Sequence, residues 1–359
     1  MSPHSLRNWG DRFKATSSRI LRILMAAYFV CATPVVIAAE GSTDVFLRGS
    51  YLDVGINSYG TLGSQDNAPV GFHARSSSLY PWSTDGTDRL GITYDNEHNG
   101  WGVGRDIGDL MMAASPSEGY ALQVGPDAAW NNGSGVWDLG PGTFSSSTTN
   151  NALWMLNTHY HGLQLTQKFL IPDGSSQLFV YMILKNISTS AVNDVYLTRC
   201  IDPDLSEPEE PGMLTTTNGI IGTVEEQGYA AAWSESPDEL LPAELGMWSY
   251  DTSAHAHIDC SSPSEDYLGL GTQQFDFIPG DTNIGITKLF STIAPGEEVT
   301  FTIGYGMSRA AIVVPPPILP STSMSPLATL FGATLRSLAL VFLAMFAYWV
   351  AEKILAEDF

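Results

Sequence analysis

GLQLTQKFLIPDGSSQLFVYMILKNISTSAVNDVYLTRCIDPD, residues 162–204, reads as three antiparallel strands and decides the fold class. Leu163, Leu165 and Phe169 alternate with Gln164, Thr166 and Lys168, the period of a half-buried strand. Pro172-Asp173-Gly174 is a turn by its chemistry, because Pro fixes φ and Gly supplies φ > 0. In the next strand Leu178, Val180, Met182 and Leu184 face one way and Phe179, Tyr181 and Ile183 the other. Both faces are apolar, so this strand belongs at the centre of a sheet covered on both sides. A polar loop, Asn186 to Asn193, leads to Val195, Leu197 and Ile201, and Asp202-Pro203-Asp204 ends the ladder.

Outward from this segment the pattern is the same. Val45–Ile56 reads as one strand, followed by Leu90–Tyr94, Tyr120–Val124 and Ala152–Tyr160, with Pro126 to Asn151 mostly loop. Ile220–Val224, Tyr229–Trp233, Leu245–Tyr250, Ile286–Ile293 and Val299–Gly306 follow. Many short strands, no convincing helix and no βαβ rhythm predict an all-β, antiparallel β-sandwich in one domain, residues 40–312.

The ends read as address labels. Residues 1–39 combine a basic stretch, an apolar run from Ile23 to Ile37 and Ala38-Ala39, the pattern of a secretory signal peptide; the alternative is an uncleaved anchor. Residues 313–326 are a Pro/Ser-rich linker. Residues 327–351 are apolar apart from Arg336 and a few small polar residues, long enough for a transmembrane helix, and 352–359 form a short tail. The expectation is an exported, membrane-anchored protein whose domain faces outside the cell. The formal net charge of the 359 residues is −22. Residues 40–359 hold 11 bases against 37 acids, which excludes nucleic acid as a partner and suits solubility or cation binding.

Several groups carry candidate chemistry. Cys200 and Cys260 allow one disulfide in an oxidising compartment; the alternative is two buried thiols. His159 and His161, and His255 and His257, each share a strand face and can chelate Zn²⁺ if the two pairs meet. Asp95, Glu97, Asn99 and Asp106 approximate a Ca²⁺ loop without the flanking helices of an EF-hand. Asp202 and Asp204 begin a second acidic cluster that Glu207, Glu209 and Glu210 extend; it either coordinates Ca²⁺ or extends into water. Trp82, Trp101 and Trp130 lie in loop-rich sequence and can stack on sugar rings, meet a partner protein or plug the core. No nucleophile, phosphate-loop or metalloprotease motif occurs.

YLDVGINSYGTLGS (51–64), LGITYD (90–95), GRDIGD (104–109), LKNISTSAVNDVYLTRCIDPDL (184–205) and STIAPGEEVTFTIGYG (291–306) together resemble a recurring group of uncharacterised bacterial secreted and surface β-sandwich proteins, some with a C-terminal membrane or sorting tail. That group brings no assigned chemistry. A weaker similarity is to galactose-mutarotase-like supersandwiches, which implies sugar binding; no matching catalytic His/Glu set is found, so no catalytic residue is carried over. The function expected is a non-catalytic surface module for glycans or a partner protein. The alternative is a carbohydrate-active enzyme using acids of the 85–109 or 202–210 loops.

Overall fold

The computed structural model describes residues 43–74, 86–95, 98, 101, 109–111, 118–132, 136, 138–203, 205, 216–223, 229–235, 244–268, 278–280 and 282–308. All belong to the first of two compact units, Met1–Pro316; the second, Pro317–Phe359, lies outside the described residues. So do the expected signal peptide, linker, transmembrane segment and tail. No helix among the described residues is long and apolar enough to cross a membrane.

The chain is all-β with antiparallel sheets. Strand β1 (Val45–Arg48), β2 (Leu52–Ile56) and β3 (Ile92–Tyr94) form a three-stranded sheet. The run read as one strand from Val45 is therefore a hairpin. Gly49 to Tyr51 turn the chain, and the Arg48 guanidinium grips the Asp53 carboxylate directly across it at 2.7 and 2.8 Å.

Nine strands make the largest sheet, in the order β15-β11-β12-β13-β17-β9-β8-β7-β6. These are β6 (Gly142–Ser147), β7 (Asn151–Leu156), β8 (Leu163–Leu170), β9 (Gln177–Asn186), β11 (Thr216–Gly222), β12 (Ala230–Glu235), β13 (Glu244–Ser249), β15 (Ile278–Gly280) and β17 (Glu298–Gly306). β8 alternates strictly between buried and half-buried residues, and β9 is buried on both faces between β8 and β17, as their side-chain patterns predict.

The third strand of the opening segment, β10 (Val192–Ile201), does not join β9. It crosses to a five-stranded sheet, β14-β16-β10-β4-β5, with β4 (Glu118–Val124), β5 (Asp127–Asn132), β14 (Ala254–Ile258) and β16 (Ile284–Ile293). The reason is long-range: β17 already occupies the free edge of β9. Buried Asn186 fixes the exit by donating its amide to the carbonyls of Ser190 and Ile293, each at 2.8 Å. β5 and β6 lie in the stretch read as mostly loop, and among the described residues there is one short helix, α1 (Pro263–Leu268).

Tryptophans stitch the large sheet through glycines. Trp233 of β12 lies over its cross-strand partner Gly246, and Trp248 of β13 over Gly304 of β17. A Cβ at Gly246 would sit 1.6 Å from the Trp233 ring, so only glycine admits the indole there.

The five- and nine-stranded sheets face one another at β14 and β16 against β11–β13. At the middle the apolar core is interrupted by one polar network. Arg199, Glu118, Gln167 and Tyr305 are all fully buried. Glu118 accepts from Arg199 Nε at 2.6 Å, Arg199 Nη2 at 3.1 Å, Tyr305 Oη at 2.8 Å and Leu62 N at 2.6 Å. Arg199 also donates to Gln167 Oε1 and to the carbonyl of Gly60. Every charge is thus paired and hydrogen-bonded, the condition under which burial is tolerated.

Candidate functional site

The period of two puts Arg199 on the inner face of β10 and Cys200 on the outer face. Register then carries Cys200 into a row that crosses the whole five-stranded sheet: Asn132 opposite Gly119, Gly119 opposite Cys200, Cys200 opposite Gly285, Gly285 opposite His257. The next row but one along β5 brings Trp130 to the same outer face. The two glycines leave room in this row. A Cβ at Gly285 would fall 2.3 Å from His257 Cε1 and 2.9 Å from Cys200 Sγ, so both side chains lean over it.

A pocket of about 240 Å³ opens on this face. Gly119, Trp130, Asn132, Val136, Cys200, Cys260, Ser261 and Asn283 line it. Among these described residues none is charged, in a chain of net charge −22. Trp130 is half-buried, held by its backbone carbonyl accepting from Asp138 N at 2.8 Å. Asn132 Oδ1 accepts from Val136 N and so closes its loop beside the pocket. Asn283 Oδ1 is buried and meets no hydrogen-bond donor. Ser261 Oγ donates to Asp266 Oδ1 at 3.0 Å, which leaves its lone pairs as acceptors.

Cys200 and Cys260 are joined as a disulfide, Cα–Cα 6.5 Å, at the pocket wall. Behind it lies His257, buried, with Nδ1 3.0 Å from the carbonyl of Asp259, 3.9 Å from Cys260 Sγ and 4.0 Å from Asp266 Oδ2. Its Nε2 meets Thr287 Oγ1 at 3.0 Å and Thr198 Oγ1 at 3.4 Å. Burial pushes the His257 pKa down and the Asp266 pKa up, and each partner's charge opposes the shift of the other. Helix α1 lies across this face, where Tyr267 stacks on His255 at 4.2 Å.

The histidines divide accordingly. His255 and His257 do share β14, but the first stacks on Tyr267 and the second faces the disulfide. His161, with φ of 50°, sits before Gly162 and reaches Asp127 of β5 at 3.4 Å; His159 is exposed. Among the described residues, the one grouping of three or more His, Cys, Asp or Glu ligand atoms within 4.8 Å of one another is Cys200, His257 and Cys260. Four imidazoles do not form such a group. Of the calcium candidates, Asp95 is buried at the end of β3 and Asp202 follows β10, whereas Glu97, Asn99, Asp106 and Asp204 lie outside the described residues, as does Trp82.

A second polar cluster stands at the three-stranded sheet and had no signal in sequence spacing. Buried Asp53 accepts from Arg48, from His73 N at 3.0 Å and pairs with His73 Nδ1 at 2.9 Å. Trp101 stacks on the His73 ring at 3.9 Å. The carboxylate fixes the imidazole, whose Nε2 edge is the part that remains to act as acid or base.

No family model matches the sequence, and no curated protein matches it. Solved structures similar to this chain include a putative aldose 1-epimerase from Escherichia coli K12, at 13% identity and TM-score 0.35, covering 75% of this chain and 99% of that one. A galactose mutarotase-like protein from Lactobacillus casei ATCC 334 gives 9% identity and TM-score 0.36 over 74% of this chain and 100% of that one. A TPR-domain containing protein from Parabacteroides distasonis ATCC 8503 gives 9% and 0.44, covering 79% of this chain and 51% of that one. At these scores the likenesses carry no argument for this chain.

Proposed function

We propose that the domain is a binding module that takes a neutral, hydroxyl-rich ring, a glycan unit, in the Trp130 pocket. The observation that supports this reading most is that the described residues lining that pocket are uncharged on a strongly acidic chain. An indole face offers apolar stacking area, while the amides of Asn132 and Asn283 and the Ser261 hydroxyl offer donors and acceptors for ring hydroxyls. Glycoside hydrolysis needs two carboxyl groups flanking the bond, and the described residues of the pocket lining supply none, which favours binding over cleavage here. The Asp53–His73 pair is the observation that favours the enzymatic alternative, since a fixed imidazole can move a proton.

Export and anchoring are part of the same proposal and rest on the sequence of residues 1–39 and 327–351. On that reading the pocket faces outside the cell, where glycans are met. A glycan array probed with the full chain tests the reading: it expects retained glycans and no released product on long incubation. Turnover that disappears in His73→Gln with the fold intact would instead establish the enzymatic alternative.

A further inference from the structure

The centre behind the pocket wall has a composition that a disulfide alone does not need. A structural disulfide is satisfied by its two sulfurs. Here a fully buried histidine faces Cys260 Sγ at 3.9 Å. A fully buried aspartate turns Oδ2, which has no hydrogen-bond partner, toward the same ring nitrogen at 4.0 Å. Glycines at 119 and 285 keep the row open on both sides of Cys200.

We propose that, once the disulfide is reduced, Cys200 Sγ, Cys260 Sγ and His257 Nδ1 form a three-ligand site for a soft divalent cation such as Zn²⁺, with its open position on the Trp130 pocket. A tetrahedral zinc centre has an N···S edge of about 3.6 Å, close to the separation already present between His257 and Cys260. Cys200 and Cys260 both line the pocket and His257 does not, so the fourth position faces solvent through the pocket. Asp266 Oδ2, which has no hydrogen-bond partner, then stands beside the cation as a carboxyl oxygen outside the ligand set.

The protons balance. A dithiol reductant attacks one sulfur as its thiolate and displaces the other. Its second thiol resolves the mixed disulfide, leaving two cysteine thiols and an oxidised reductant. The cation then replaces the two thiol protons, which leave to solvent as the metal–sulfur bonds form. His257 has one ring proton. On metal binding it occupies Nε2 and is donated to Thr287 Oγ1, which has its own proton on Thr198 Oγ1 at 2.6 Å; Thr198 in turn donates to the Ile286 carbonyl at 3.3 Å. The ring changes tautomer: Nδ1 gives up its hydrogen bond to the Asp259 carbonyl in exchange for the metal, while Nε2 keeps Thr287 as partner, the outer-sphere arrangement that orients a ligating imidazole.

Cobalt(II) titration of the full chain, kept reduced by a non-chelating phosphine without oxygen, tests this. The expected result is one equivalent of Co²⁺ bound with a thiolate-to-cobalt charge-transfer band, displaced by Zn²⁺, and no such band for the oxidised chain. His257→Gln is expected to weaken binding by more than the about 10–100-fold typical of losing an outer-sphere partner. Absence of the band at saturating Co²⁺ would overturn the proposal. So would full affinity in His257→Gln, or loss of β circular dichroism in the reduced chain with Co²⁺ present. Glycan binding is read separately, so either result stands without the other.

Discussion

Arg199 Nε lies 2.6 Å from Glu118 Oε1 with both side chains fully buried, β10 and β4 presenting them side by side to the gap between the two large sheets. Removing one partner strands the other charge away from water. Arg199→Met is expected to destabilise the fold by about 3–5 kcal/mol in urea unfolding, and the double variant Glu118→Leu/Arg199→Met to recover much of that loss. A double variant no more stable than the single one would show that the network's hydrogen bonds to Gln167, Tyr305 and Leu62 matter more than the charge pair.

Gly246→Ala places a methyl group 1.6 Å from the Trp233 ring. The indole cannot move, being fully buried. A loss of about 3 kcal/mol or more is expected, with altered near-ultraviolet circular dichroism from the displaced tryptophan. A variant melting with the parent would mean that β12 and β13 are not in the register described.

The disulfide closes a sequence separation of 60 residues. Chain-entropy reasoning makes it worth about 4 kcal/mol. Cys200→Ser/Cys260→Ser is expected to show that loss in the denaturant midpoint. The parent treated with reductant should lose the same amount when no metal is added.

Asp266 is buried, and burial raises its pKa above the ordinary 3.8. Between that value and the raised one the fold binds more protons than the unfolded chain, so this group's contribution to stability falls as pH rises through the window. Asp266→Asn removes the ionisable group while its amide oxygen still accepts from Ser261. Relative to the parent, the variant is expected to gain stability at neutral pH, with the gain shrinking as pH falls. His257, held down by burial and lifted by the Asp266 charge, acts in the same sense, because losing that charge lowers it further. Urea midpoints at neutral and acid pH check this; a gain that grows toward acid would contradict it.

Much of the fold was legible because β8 and β9 carry their burial in their own side-chain period. The destination of β10 was not, since the strand that displaces it from β9 begins at Glu298, over a hundred residues along the chain. β6, GTFSSS, is a polar edge strand with one large apolar residue and has no alternation to read. The site was legible as parts. Trp130, Cys200, Cys260 and His257 each had a chemical reason to be noticed. What joined them is a row of partners across five strands, and register between strands so distant in sequence leaves no trace in spacing. Asp53 and His73 were missed for the same reason: they meet through a loop fold, not a motif.

The most direct test of the glycan-binding reading is isothermal titration of the full chain with the best-retained glycan of an array, beside Trp130→Ala. The indole's stacking contribution makes an affinity loss of about tenfold or more the expected result, with thermal stability unchanged within about 0.5–1 kcal/mol because Trp130 is only half-buried. Equal affinity in the two proteins, or no retained glycan of any kind, would contradict it.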